Sequence, residues 1–269
     1  MESKPGRFIY TVSDDAKLSV ECAADNNIKI DVDQGAKTND AVINPLRTYA
    51  EVFLAEALAT GFLLSIGCMS CVEGVTPTPV TDFHSAVAFG FLVTILISVF
   101  GHISSAHMNP ALTITFYLLG RISLPMVFVY FSAEVFGAVV GVGLVKLVTP
   151  PELFGPTLCV TRLGDAIQPV QGLAVEFAIT FVLALLVCAM NDKRTAALQD
   201  SGSIKFGTVI IAMSLAAGKY TGASMNPARS LAPAIWSNYW TAHWIYWAGP
   251  IAAGIAAPLL YIHCFNKEN

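Results

Sequence analysis

Residues 102–118 read HISSAHMNPALTITFYL, and residues 219–235 read KYTGASMNPARSLAPAI. Both contain Met-Asn-Pro-Ala, with Asn109 and Asn226 set 117 positions apart (226 − 109). Asn is a strong helix N-cap and Pro is favoured at the first helical position, so each stretch reads as a helix start. About ten helix-prone residues follow each start, roughly 15 Å of helix at 1.5 Å per residue, which is too short to cross a bilayer. Two such pieces placed end to end span about 30 Å, one hydrocarbon thickness. Why a chain should carry this interrupted segment twice is decided by what surrounds it.

What surrounds it is apolar. Of 269 residues, 55% are hydrophobic and 13% charged, and the mean hydropathy is +0.62. Soluble domains carry about 25% charged residues, so the natural solvent here is lipid. Six apolar runs lie near 49–71, 84–103, 124–148, 170–190, 203–218 and 242–265, the fifth being short. The halves match. Glu56 precedes Asn109 by 53 residues (109 − 56) and Glu176 precedes Asn226 by 50 (226 − 176), each Glu in the first long helix of its half. Three spans per half insert the second half upside down, and paired interrupted segments in inverted repeats point to a site at the midplane. The fold class expected is therefore an all-α membrane protein with six transmembrane helices and two half-helices in an inverted 3+3 repeat. The channel domain covers 46–265, with repeat one over 46–150 and repeat two over 168–265.

Residues 1–45 are polar and read as a flexible cytoplasmic tail without a cleavable leader, and 266–269 as a short cytoplasmic end. Lys and Arg near the helix ends orient the bundle: Arg47, Arg121, Lys193, Arg194, Lys205 and Lys267 fall on the side of the termini, against Lys146, Arg162 and Lys219 opposite. Trp240, Trp244, Tyr246 and Trp247 read as an aromatic belt at the outer interface. Cys68 and Cys71 form a CxxC pair without a second pair nearby, and read as small packing residues rather than a redox or zinc pair. No metal site or cofactor is expected, no basic run suggests nucleic acid, and no nucleophile, base and orienter occur as a set that would make an enzyme.

Asn109-Pro110-Ala111 and Asn226-Pro227-Ala228 start helices that approach from opposite sides. Each helix N-terminus carries about half a positive charge, so their meeting point repels cations. The Asn oxygens cap the helices, leaving both NH2 groups to donate to a permeating molecule. The non-helical stretches leading in, His102 to Met108 and Lys219 to Met225, belong at membrane depth only if they are buried or line a wet cavity. Glu56 and Glu176 are placed to accept bonds from the amides of those stretches. A proton relay is the other reading of two buried carboxylates, and their matched positions favour scaffolding.

With two Asn-Pro-Ala boxes, Arg229 and Ser230 after the second, and Glu56 and Glu176 in the paired helices, the chain resembles the aquaporin family over residues 45–265. The resemblance implies a pore in every protomer of a homotetramer, permeation without net proton transfer, and a plasma-membrane location with both termini inside. It also implies a four-residue filter. Phe89 stands twenty before Asn109; Ser214 and Ala223 stand twelve and three before Asn226; Arg229 follows the second box. Water-selective members usually carry His where Ser214 stands, and the change resembles the insect branch called entomoglyceroporins, which implies passage of water, glycerol and urea. The intact second Asn-Pro-Ala box resembles water-type members, so a strictly water-selective channel is the alternative. A junctional protein with little flux and a coupled transporter using Glu56, Glu176 or Glu134 complete the set. Ala223 replaces the cysteine that some members carry, so weak mercurial block through that position is expected. Glu134 stands where the family commonly has Gln.

Overall fold

The computed structural model describes residues 7–13, 16–22, 28–33, 45–155 and 158–265, which fall into two units divided at Pro45 and Leu46. The first unit is a three-stranded antiparallel sheet, β1 (Arg7–Ser13), β2 (Ala16–Cys22) and β3 (Ile28–Asp33), in that order. Phe8 pairs with Val20 and Val20 with Ile30; Tyr10 pairs with Leu18 and Leu18 with Val32. This corrects the expectation of a tail without regular structure. The polar composition of the segment conceals a period-2 alternation of apolar residues, the signal of a half-buried strand. The short end at 266–269 lies outside the described residues.

Among the described residues, the second unit contains eight α-helices. Six are long: α1 (Pro45–Met69), α2 (Asp82–Ser104), α4 (Leu124–Val148), α5 (Pro169–Met190), α6 (Gly202–Thr221) and α8 (Ile245–Cys264). Two are short: α3 (Pro110–Leu118) and α7 (Pro227–Ser237), of 9 and 11 residues. All but α6 of the long helices are apolar enough to cross a membrane. At 20 residues α6 is as long as α8, but Lys205 and Lys219 lower its hydropathy. Both half-helices begin as their sequences dictate. Asn109 and Asn226 are extended N-caps whose side chains accept from Ala111 N and Ala228 N, with Pro at the first helical position.

Small residues let the helices of the two repeats approach closely. A methyl built on Gly137 would strike the Ala57 carbonyl, and one on Gly141 the Gly61 carbonyl, so α4 lies against α1 through the Gly-xxx-Gly spacing. α2 and α6 cross where Gly90 meets Gly207, each facing the other's carbonyl. Gly90 lies 19 residues before Asn109 (109 − 90) and Gly207 lies 19 before Asn226 (226 − 207). The crossing therefore joins equivalent points of the two repeats. Rows of exposed apolar side chains, Leu54, Leu58, Phe62 and Ile66 on α1 and Phe91, Ile95, Val99 and Ile103 on α2, face outward at four-residue spacing. The residues expected to form an aromatic belt differ in exposure. Trp240 and Trp244 are exposed, whereas Tyr246 is 1% exposed and donates its hydroxyl to Thr221 O at 2.8 Å.

Candidate functional site

The half-helices are entered by turns of closely matching backbone conformation. α2 runs on to Ser104 and α6 to Thr221, so the non-helical stretches are shorter than their sequences suggest, residues 105–109 and 222–226. Ser105, Ala106 and Met108 have φ of 67, 47 and 51°; Gly222, Ala223 and Met225, each 117 positions later, have φ of 78, 46 and 55°. Left-handed backbone at non-glycine residues costs roughly 1–2 kcal/mol each and must be held by its surroundings.

The buried glutamates hold it. Glu56 Oε1 accepts from Ser104 Oγ at 2.6 Å and from His107 N at 2.9 Å, and Oε2 accepts from Met108 N at 2.8 Å. Glu176 Oε1 accepts from Thr221 Oγ1 at 2.6 Å and Ser224 N at 2.9 Å, and Oε2 accepts from Met225 N at 2.8 Å. Both carboxyls are fully buried. With the amides turned toward the carboxylates, the opposite side of each turn is left to the cavity. Tyr130 and Tyr246 complete the pairing, their hydroxyls donating to Ser104 O at 2.6 Å and to Thr221 O at 2.8 Å. Sequence reasoning missed Ser104 and Thr221, although each stands five residues before its box asparagine.

The two boxes are latched across the midplane. Asn109 Nδ2 donates to Met225 O at 2.8 Å and Asn226 Nδ2 donates to Met108 O at 2.7 Å. The expectation of free NH2 groups is thereby corrected. One hydrogen of each amide ties the opposite turn. Geometry forces this, because the carbonyls of the left-handed methionines lie beside the opposite cap.

A cavity of about 210 Å³ runs past both boxes. Phe89, Ser214, Ala223 and Arg229 all line it, as do Asn109 and Asn226. Val93, Leu183, Val187 and Ile210 give it apolar stretches of wall, and Asp82, Ser85, Ser105, His107 and Ser224 give it polar ones. The guanidinium carbon of Arg229 stands 5.3 Å from the centre of the Phe89 ring, and Arg229 Nη1 donates to Cys159 O at 2.6 Å. The Phe89 ring lies against Gly67, where any β-carbon would overlap it. Cys68 is joined to Cys159 by a disulfide across 91 positions. This corrects the reading of Cys68 as a mere packing residue, and the partner could not be found from spacing alone. Cys71 remains a free thiol on the cavity wall. Pro110, Ala111, Pro227 and Ala228 are buried behind the caps.

The halves differ beyond the turns. His107 is sandwiched between the rings of Phe116 and Tyr130, at 3.9 and 4.2 Å between centroids. Its Nδ1 meets Thr113 Oγ1 at 2.9 Å. Thr113 donates to Glu134 Oε1 at 2.7 Å, which also accepts from Asn109 N at 3.1 Å. In the second half the corresponding chain is Ser224, Ser230 and Thr161, linked through their hydroxyls. Among the described residues no cluster of His, Cys, Asp or Glu could hold a metal ion.

Spanning helices, a midplane latch and a cavity threading it define a membrane channel built from an inverted repeat. Comparison with known proteins gives the family: residues 46–261 match the major intrinsic protein family. Aquaporin-4 of Mus musculus is 37% identical over 217 residues, 80% of this chain and 67% of that protein. The lens fiber major intrinsic protein of Homo sapiens is 37% identical over 219 residues, 80% and 81% of the two chains. A solved structure, the aquaglyceroporin from Plasmodium falciparum, superposes with a TM-score of 0.71 at 22% identity over 80% of this chain and 97% of that one, a likeness of fold. The chain belongs to the major intrinsic protein family of aquaporin channels.

Proposed function

We propose that the protein is a passive channel for water and small neutral solutes such as glycerol and urea, and that it excludes protons and ions. The observation that carries this reading is the ring around Arg229. Phe89 and Arg229 form one side of the cavity, and the small Ser214 and Ala223 are the other members of the ring. An aromatic face beside a guanidinium suits a polyol, whose CH groups pack on the ring while its hydroxyls accept from Arg229. Charge is turned back twice: by Arg229, and by the N-terminal dipoles of α3 and α7 meeting at the latch. A strictly water-selective channel is the second reading. It is favoured by the second box, which is latched just as the first is, and by the likeness to aquaporin-4.

The chain sits in the membrane with both termini cytoplasmic, by its lysines and arginines. The disulfide at the far end of α1 supports that orientation, because disulfides persist on the oxidising side of a plasma membrane. The outward apolar rows of α1 and α2 suit lipid and neighbouring protomers of a homotetramer.

Stopped-flow light scattering on proteoliposomes tests the solute reading. The protein is expected to accelerate glycerol and urea uptake as well as water efflux. Ser214→His is expected to cut glycerol permeability about tenfold or more while water flux stays within about threefold, because exclusion is a local clash. Glycerol uptake no faster than in empty vesicles leaves the water-selective reading standing. A proton leak that rises with protein content, read with an internal pH dye, sinks the exclusion claim.

A further inference from the structure

The last turn of α1 is linked to both large members of the ring, to Phe89 directly and to Arg229 through Cys159. Gly67 lies under the Phe89 ring with no room for a β-carbon. The next residue, Cys68, is bonded to Cys159, whose main-chain oxygen receives Arg229 Nη1 at 2.6 Å. Cys159 is held in the left-handed region, φ 59°, which a non-glycine residue adopts only when its surroundings hold it there. Both half-cystines are buried. Arg229 has no ion-paired carboxylate among the described contacts to fix it otherwise; its place is set by the Phe89 face and the Cys159 carbonyl.

We propose that the Cys68–Cys159 disulfide determines specificity. By pinning the Cys159 carbonyl to the end of α1, it fixes the Arg229 guanidinium and so sets the size cut-off for neutral solutes. This rests on the reading of the Arg229 ring as the constriction. Cys159 acts as a positioning residue, since its carbonyl touches Arg229 rather than the permeant. When a thiol or phosphine reductant delivers two electrons and two protons, the S–S bond breaks to give two thiols. The loop carrying Cys159 is then tied only by its hydrogen bonds, and Arg229 gains freedom to swing. Cys71 offers a second route. Its N–H donates to Cys68 O at 3.0 Å in a tight turn. Its thiolate can attack Cys68 Sγ, forming a Cys68–Cys71 bond and releasing Cys159 as a thiolate that takes up the proton, with no net oxidation.

The test compares proteoliposomes of the full chain carrying Cys71→Ser, which removes the exchange route, before and after reduction with a membrane-impermeant phosphine and alkylation. Mass spectrometry scores the state of Cys68 and Cys159. Permeability is read for water, urea, glycerol and the longer polyol erythritol. With the bridge open, the erythritol-to-water ratio is expected to rise about tenfold, the low end of what one methylene of fit is worth in a pocket. The double variant Cys68→Ala/Cys159→Ala is expected to match it. In an Arg229→Ala background, opening the bridge is expected to add nothing, because the group it positions is gone. Full alkylation of both cysteines with an unchanged ratio overturns the proposal. So does an equal rise in the Arg229→Ala background, which would mark the bridge as a general brace. If Arg229→Ala itself leaves the cut-off unmoved, the constriction reading fails instead. Should the double variant not fold, the reduced Cys71→Ser protein carries the test.

Discussion

Counting from the box asparagines picks out two matched sets of cavity-lining residues. The first holds Phe89, Ser214, Ala223 and Arg229. Its inverted counterpart, at the same offsets from the opposite asparagines, holds Phe206, Ile97, Ala106 and Leu112, and all eight residues line the cavity. Two members are unchanged, Phe for Phe and Ala for Ala. Two differ: Ser214 against Ile97, and Arg229 against Leu112. The duplicated frame thus places two equivalent sets of residues on the cavity wall, and on the proposed reading two side chains give only one set the means to recognise a solute. On that reading, selectivity is a departure from symmetry, laid on a backbone that keeps symmetry closely.

If the frame is common to both halves, equal damage to each should have equal cost. Replacing Glu56 or Glu176 by Ala strands two buried amides and a hydroxyl in either case. Each stranded donor costs about 1–3 kcal/mol, so a loss of about 3–9 kcal/mol is expected from either change, enough to unfold the protein in detergent. Thermal unfolding of both variants checks it. A mild effect on one side alone breaks the equivalence. Next in size is the helix crossing. Gly90→Ala and Gly207→Ala each press a methyl onto the partner's carbonyl. Each is expected to cost about 1–3 kcal/mol, again alike, measured the same way.

The legible parts of this architecture are those encoded locally. Asn-Pro at a helix start is a short-range rule, and it located both half-helices to the residue. The long helices were equally plain, because an apolar run near membrane length leaves few alternatives. α1 begins a few residues earlier than its apolar run, at Pro45, a residue suited to a first turn. What stayed hidden is long-range. The Cys68–Cys159 bond and the crossed Asn amides join residues 91 and about 117 positions apart, and nothing in their neighbours names the partner. The strands at 7–33 were hidden otherwise, by a composition whose charges outweigh a clear alternation.

The asymmetry itself can be tested by erasing it. Arg229→Leu gives the solute-recognising ring the residue of its counterpart. The turn itself should survive, since the Glu176 bonds and the Asn226 cap do not involve the guanidinium. Water flux is expected to stay within about threefold, while discrimination against larger neutral solutes falls about tenfold and ion exclusion weakens, because one of two positive features is gone. Solute reflection and membrane conductance in proteoliposomes read both. A variant as selective as the wild type would place discrimination at the midplane latch instead.

The smallest effect is expected at the remaining departure from symmetry, Glu134. Counting four residues on from Tyr130 and Tyr246 puts Glu134 in register with Pro250, so the second half has no carboxyl there. What Glu134 does for Asn109 N is done for Asn226 N by the Ser224 hydroxyl, at 3.3 Å. Glu134 engages through Oε1 alone; Oε2 is buried without a hydrogen-bond partner. An amide oxygen can accept the same two bonds, from Asn109 N and Thr113 Oγ1, so Glu134→Gln is expected to change stability by less than about 1 kcal/mol. Glu134→Ala strands the Asn109 amide and is expected to cost about 1–3 kcal/mol. The contrast between the two variants, read by thermal unfolding and water flux together, separates an acceptor from a charge. If Gln proves as harmful as Ala, the first half needs the carboxyl as an acid or an anion, and its turn is then not the plain duplicate of the second.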